Sequence, residues 1–340
     1  MQISSKYSLL PSQDSLPGLH SSEELYRVSR LITQLTVQPD AALLQEMCVE
    51  HFAGGGKMIR SRLAMAVGEC FGLSRAWVAP WAAAVELVHN ATLVHDDIQD
   101  GDQTRRGRPT TWVTHGVGQA INLGDQMLML PTQAIDQMDC AGDSKWLLAK
   151  VLSTRACATV KGQVADLAFT PETGWNWESY IQMVRGKTGQ LLALPVEGSL
   201  LLAGYAPEEA RRAADIFLSV GVMYQLQDDV LDIFGDKQRE HSACDLYEGK
   251  VSALVLADGL LHPGRKEELV RLLQTPRKET PRDGVERTVE RFRDGGALQL
   301  VLHRMREIRD TFLAQEWGPM ETVASELLQA TLRPIAGVWK

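Results

Sequence analysis

From residue 21 onward, apolar side chains return every three or four positions, and nowhere do they alternate with polar ones over the length of a strand. That period belongs to the α-helix, where positions i, i+3, i+4 and i+7 share one face. A chain that repeats it almost without pause can fold in few ways. Helices must pack on helices around an apolar core. The segments 25–36, 41–52 and 58–71 read as the first helices, with Ser21 and Glu24 spaced as a capping box ahead of them. The stretch 76–100 is apolar on most faces, which predicts a central buried helix. Further helices are expected over 115–138, 144–168, 177–203, 208–234, 251–261, 265–274, 297–316 and 319–332. Clusters of Gly, Pro and Asp, such as FAGGGK, TPETGWN, LHPGRK and TPRKETPRDG, separate them.

No linker is long enough to divide the chain, and no repeat is visible. The expectation is an all-α protein with a Ser- and Pro-rich, poorly ordered tail over 1–20 and a single domain over 21–340. With 340 residues, 44% of them hydrophobic, one large core is within reach. The net charge of −8 offers no basic stripe to nucleic acid, so polynucleotide binding is not expected. Five widely spaced cysteines without a C-x-x-C pattern read as reduced thiols, hence a cytoplasmic protein. The N-terminus has no apolar core of a signal peptide. No apolar run reaches the roughly 18 residues of a membrane span. The nearest, 191–204, is broken by Pro195 and Glu197.

The central helix ends in DDIQD. On a helix, Asp96 and Asp100 share a face, with Asp97 beside them. Like charges at that spacing repel, so packing alone would not select them. Divalent cations between the carboxylates remove the repulsion, and oxygen-only donors favour Mg²⁺, which shares its shell with phosphates. The device recurs in YQLQDDVLD, again after an apolar run, with Asp228, Asp229 and Asp232. One such cluster is compatible with a solvated helix end. Two, both on apolar helices, point to several Mg²⁺ ions holding a diphosphate.

Cations keep company with these carboxylates. GGGKMIR is a glycine turn entering a helix, with Lys57 and Arg60 three apart, which suits a phosphate. Arg105 and Arg106 follow the first cluster, Lys187 and Thr188 lie among glycines in RGKTGQ, and Lys250 stands in EGKVS. Such a set has room for two diphosphates, one held through metal and one through basic residues.

With these five motifs in this order, GGGKMIR, ELVHNATLVHDDIQDGDQTRRGRPT, GKTGQL, YQLQDDVLD and DLYEGKVS, the chain resembles the all-trans polyprenyl diphosphate synthases from about residue 40 to 260. The resemblance implies a bundle of long antiparallel helices around a central cavity. It also implies condensation of isopentenyl diphosphate with an allylic diphosphate, about three Mg²⁺ per active site and a homodimer. By resemblance, Asp96 and Asp100 bind metal with Asp97 in support, and Asp228 does so with Asp229 and Asp232 nearby. Lys57, Arg60, His89 and Arg106 match positions for isopentenyl diphosphate. Arg105, Lys187, Thr188, Gln225 and Lys250 match positions around the allylic diphosphate. Mg²⁺ and the cations would help the diphosphate leave. Thr188 and Gln225 would turn oxygen dipoles to the allylic cation, and the leaving diphosphate would take the proton. Those assignments make Asp96, Asp100, Arg105, Lys187, Thr188, Gln225 and Asp228 the expected catalytic set.

The chain departs from the family's usual pattern in places. Met58 and Ser61 stand where Arg and Pro are usual. GDKQREHSACD is shorter than its counterpart, with Glu240 at the usual lysine position and Lys237 and Arg239 close by. A bulky residue four or five positions before the first Asp closes the product tunnel in some members. Here Ala91 and Thr92 are small, with Leu87 and Val88 one turn deeper. The leading product is therefore twenty carbons long, with fifteen or a longer chain as alternatives. The rivals are a class I terpene cyclase, which needs no second diphosphate site, and a non-catalytic subunit, which would be expected to lose a carboxylate cluster.

Overall fold

A computed structural model describes residues 22–36, 40–235 and 243–338. The tail over 1–20, Ser21 of the capping box, and Lys237, Arg239 and Glu240 lie outside them. The described chain is all-α except for one two-stranded hairpin. In order it forms α1 (Ser22–Thr36), α2 (Ala42–Ala53), α3 (Ile59–Cys70), α4 (Arg75–Gln99), β1 (Thr104–Arg105), β2 (Arg108–Pro109), α5 (Thr111–His115), α6 (Val117–Asp136) and α7 (Gly142–Leu167). Then come α8 (Trp177–Val184), a π-helical turn (Arg185–Gly189), α9 (Gln190–Leu202), α10 (Pro207–Asp215), α11 (Leu218–Phe234), α12 (Cys244–Tyr247) and α13 (Ala253–Leu261). The chain closes with α14 (Lys266–Gln274), α15 (Arg282–Asp294), α16 (Ala297–Leu313) and α17 (Glu321–Leu332).

Two compact units divide these elements. One holds the described residues up to Ala156 together with Ala193–Ala214, and the other holds Cys157–Leu192 and Asp215 onward. In the first unit α4 is the central element, packed by α1, α3 and α6. Ala82, Ala83, Ala84, Val85, Leu87, Val88 and Ala91 are wholly buried, as its apolar sequence requires. Trp81 is also wholly buried and donates its indole N–H to the Pro195 carbonyl at 3.1 Å. Glu197, the charge inside the apolar run 191–204, is buried against Arg155 (Nε to Oε2, 2.6 Å), which offsets its desolvation.

The second unit is built on α11, packed by the π-helical turn, α13, α16 and α17. Val222, Leu226 and Val230 of α11 join Leu254, Phe292, Val301 and Met305 in its core. The π-helical turn reaches α11 because both carry glycine. A Cβ on Gly221 would stand 2.4 Å from the Gly189 Cα. The expected helix 177–203 is interrupted at RGKTG, and the expected helix 208–234 breaks at residues 216 and 217. The sequence reading omits α15, whose buried residues Val285, Thr288 and Phe292 are sparse among charges.

Candidate active site

In the first unit, the first carboxylate cluster closes α4. Asp100 caps the helix and is exposed, Asp96 is half-buried and Asp97 is buried. The chain then turns back as a hairpin with Arg106 and Gly107 at its tip, both with positive φ (53° and 73°). That is the turn that matches strand twist. It swings Arg105 onto Asp97, with Nε and Nη2 both 2.6 Å from Oδ1, and brings Nη2 within 3.7 Å of Asp102. Burial raises the Asp97 carboxyl above the usual range, with Arg105 pulling it down. Burial also works against the Arg105 charge, but Asp97 outweighs it and keeps the guanidinium protonated.

The glycine turn lies beside this hairpin. A Cβ on Gly56 would come within 2.8 Å of the Arg106 guanidinium, so the glycine lets Arg106 lie against this backbone without shifting. Met58 takes up a left-handed conformation (φ 48°) ahead of α3, and Arg62 Nε donates to the Lys57 carbonyl at 2.9 Å. Lys57 is exposed. Arg60 Nη1 lies 3.0 Å from His89 Nε2. A guanidinium only donates, so Nε2 accepts and the ring proton sits on Nδ1, a buried atom without a hydrogen-bond partner. Burial first, then Arg60, Arg106 and Arg105, hold His89 well below the usual imidazole range, so it is neutral.

Beneath these groups runs a polar chain that the sequence reading missed. Ser61 Oγ lies 2.9 Å from Glu86 Oε2 and 3.0 Å from the Ala82 carbonyl. Asn90 donates to the Glu86 carbonyl at 2.8 Å, which turns Asn90 Oδ1 to His51 Nε2 at 3.0 Å. Burial lowers His51 to about 4, against the pull of its bond to Asn90.

In the second unit, Lys187 and Thr188 lie in the π-helical turn, an irregularity frequent at functional sites. Lys187 Nζ pairs with Asp166 Oδ2 at 2.5 Å. On α11, Asp228 is exposed and Asp229 and Asp232 are buried. Asp229 Oδ2 accepts from Tyr180 O–H and from the Ala253 N–H, each at 2.7 Å, and Oδ1 accepts from Gln225 Nε2 at 2.9 Å. Burial raises Asp229 to about 6, although all three donors pull it down. Asp232 Oδ2 accepts from the Asp245 N–H at 3.0 Å. Lys250 is exposed, with Nζ 3.0 Å from Glu248 Oε2.

Each unit thus gathers its own share of the expected residues. Of the six carboxylates expected on metal, Asp97, Asp229 and Asp232 are buried and hydrogen-bonded to protein groups. Packing explains this, since a buried carboxylate needs donors where it lies. Asp96, Asp100 and Asp228 keep a more open setting. Their hard oxygen donors fit Mg²⁺, which completes its shell with water and phosphate. Among the described residues no three acidic, His or Cys side chains are already grouped to hold an ion. Of the expected tunnel residues, Leu87, Val88 and Ala91 are wholly buried, and Thr92 is half-buried with its hydroxyl on the His89 carbonyl (2.8 Å). Asp166 and Tyr180 were also missed. The partners of Lys187 and Asp229 are read only from contacts.

The family model for polyprenyl synthetases matches residues 41–291. The chain is 35% identical over 222 residues to a short chain isoprenyl diphosphate synthase of Methanocaldococcus jannaschii, covering 64% of this chain and 67% of that one. It is 38% identical over 181 residues to a (2E,6E)-farnesyl diphosphate synthase of Mycobacterium bovis, covering 53% of this chain and half of that enzyme's length. Among solved structures it is similar to a polyprenyl synthase from Caulobacter crescentus CB15, complexed with calcium and isoprenyl diphosphate. There the TM-score is 0.80 at 26% identity, with 95% of this chain and 98% of that one covered.

Proposed function

The chain belongs to the polyprenyl synthetase family, and from that membership we propose that it joins isopentenyl diphosphate to dimethylallyl, geranyl or farnesyl diphosphate. The observation that carries this reading is the cationic cradle of the first unit. Arg106 lies on Gly56, and Arg60 on a neutral His89, near the helix that ends in Asp96 and Asp100. A terpene cyclase has no use for that cradle.

Lys57, Arg60, His89 and Arg106 bind isopentenyl diphosphate, and the His89 Nδ1–H is a donor that a phosphate oxygen satisfies. Arg105, steadied by Asp97, serves the allylic diphosphate with Lys187, Thr188, Gln225 and Lys250. Asp96, Asp100 and Asp228 are the carboxylates that would hold Mg²⁺, about three ions per site. When bound, Mg²⁺ supplies positive charge to the departing diphosphate. The allylic C–O bond breaks, the double bond of isopentenyl diphosphate forms the new C–C bond, and a proton leaves to the diphosphate. An apolar channel around the allylic group keeps water from the cation.

The product is an all-trans C20 diphosphate, supported by the small Ala91 and Thr92. The two units form one domain, supported by a family match that runs through both. The protein is a homodimer, supported by exposed Val117 and Ile121 on α6 and Trp146 on α7. It is cytoplasmic, supported by its five free cysteines. No described helix is long and apolar enough to cross a membrane.

The test is incubation of purified protein with each allylic diphosphate, with and without isopentenyl diphosphate and Mg²⁺, followed by chromatography. Elongation that needs both supports the reading. A cyclic hydrocarbon from the allylic substrate alone makes the protein a cyclase. Ala91→Phe is expected to shorten the product by one isoprene unit, and an unchanged distribution would move the tunnel elsewhere.

A further inference from the structure

The second Asp of YQLQDDVLD is enclosed by donors rather than open to an ion. Asp229 is 4% exposed, and both of its oxygens are occupied. Oδ2 takes the Tyr180 O–H and the N–H of Ala253, the first residue of α13. A helix N-terminus favours negative charge there. Oδ1 takes Gln225, which stands one turn earlier on α11. An ionised carboxylate only accepts hydrogen bonds, so Gln225 must present its NH₂ to Asp229, and its carbonyl oxygen is turned to the other side.

Tyr180 makes this arrangement definite. Its ring is 2% exposed and is held between Trp177 (stacked, centroids 5.7 Å apart) and Phe169 (6.0 Å). The hydroxyl therefore has a fixed place. Burial and the neighbouring Asp229 keep it protonated, since they raise it well above the usual phenol range.

Resting on the prenyl-transfer reading above, we propose that Tyr180 is a positioning residue. Acting through Asp229, it locks the Gln225 amide so that the carbonyl oxygen faces the allylic group as positive charge develops there. Asp229 belongs to this relay and not to the metal set. A flipped amide would offer N–H groups to a cation and raise the barrier, which is how loss of a distant hydroxyl reaches the chemical step.

A double-mutant cycle on steady-state kinetics tests this. Tyr180→Phe keeps the buried ring and removes the donor. It is expected to lower kcat about tenfold, with KM for isopentenyl diphosphate within about twofold of wild type. In a Gln225→Ala background the same change should lower kcat by less than about twofold, because the group it acts through is gone. An equal fall in both backgrounds, or wild-type kcat in Tyr180→Phe alone, overturns the relay. Should Tyr180→Phe fail to fold, Asp229→Asn enters the same cycle with the same expected non-additivity. Absence of turnover in the wild-type protein would sink the prenyl-transfer reading and the relay with it. Wild-type turnover with an additive cycle sinks the relay alone.

Discussion

The two D-D-x-x-D clusters are alike in letters and differ in how their buried members are held. At the end of α4, Asp97 is met by a full positive charge from Arg105, delivered by a hairpin. On α11, Asp229 is met by a phenol, an amide and a backbone N–H, all neutral. The third members differ too. Asp100 is exposed at a helix cap, whereas Asp232 is buried on the Asp245 N–H. One motif therefore serves two electrostatic designs. In each the first Asp is the more open of the leading pair, and the second is tied to the protein.

The largest expected effect probes what the clusters share. Asp96→Ala and Asp228→Ala should each reduce Mg²⁺-dependent turnover by roughly a thousandfold or more, because each removes a carboxylate assigned to metal. If one variant kept wild-type rates while the other lost them, the clusters would not be functional equivalents.

The next probe separates them by stability in denaturant. Asp97→Asn leaves the part-buried Arg105 with only the more distant Asp102 as close countercharge and should cost about 2 kcal/mol. Asp229→Asn faces donors that can reorient, apart from one backbone N–H, and should cost less than about 1 kcal/mol. Equal losses would mean that the distinction between charged and neutral partners has no energetic content.

Most helices were legible in the sequence, since burial of α4 and α11 follows their apolar period. What escaped was set by contacts between segments far apart. The letters RRG show a sign reversal, but not that Arg106 sits at a turn tip while Arg105 returns to Asp97. Tyr180 reads as one more apolar position of α8 until its hydroxyl meets a residue 49 positions away. The π-helical turn was hidden because RGKTG fits a helical period, and its close approaches to Gly221 on α11 and Gly162 on α7 are visible only in the fold. Carboxylate pattern shows where charge collects. It cannot tell an exposed carboxylate from a buried one.

Acidity offers a finer test, made in chelator so that metal does not intervene. His51 falls to about 4 in the fold from an ordinary 6.5. Between those values the unfolded chain binds the extra proton, so stability should decline as pH drops from 6.5 to 4. Asp229 rises to about 6 from 3.8, so the folded chain holds the extra proton and stability should decline as pH rises through that window. Relative to wild type, His51→Gln and Asp229→Asn should therefore tilt stability-against-pH curves in opposite directions between pH 4 and 6. Tilts of the same sign would refute one of the two assignments.

The smallest effect concerns Ser61, where the family usually has proline. Its hydroxyl lies on Glu86 and the Ala82 carbonyl, at the far end of the chain that leads through Asn90 to His51. Neutral donors again meet a buried carboxylate, here beside the charge of Arg62. Ser61→Ala takes a donor from a buried carboxylate and should cost about 1 kcal/mol in urea. Ser61→Pro should cost no more than the alanine variant. The first intrahelical bond of α3 runs from the Arg62 N–H to Met58, so the N–H at 61 is outside the ladder and a ring there breaks no helical bond. A proline variant much less stable than the alanine one would show that the backbone at 61, and not its hydroxyl, is what holds the cradle to α4.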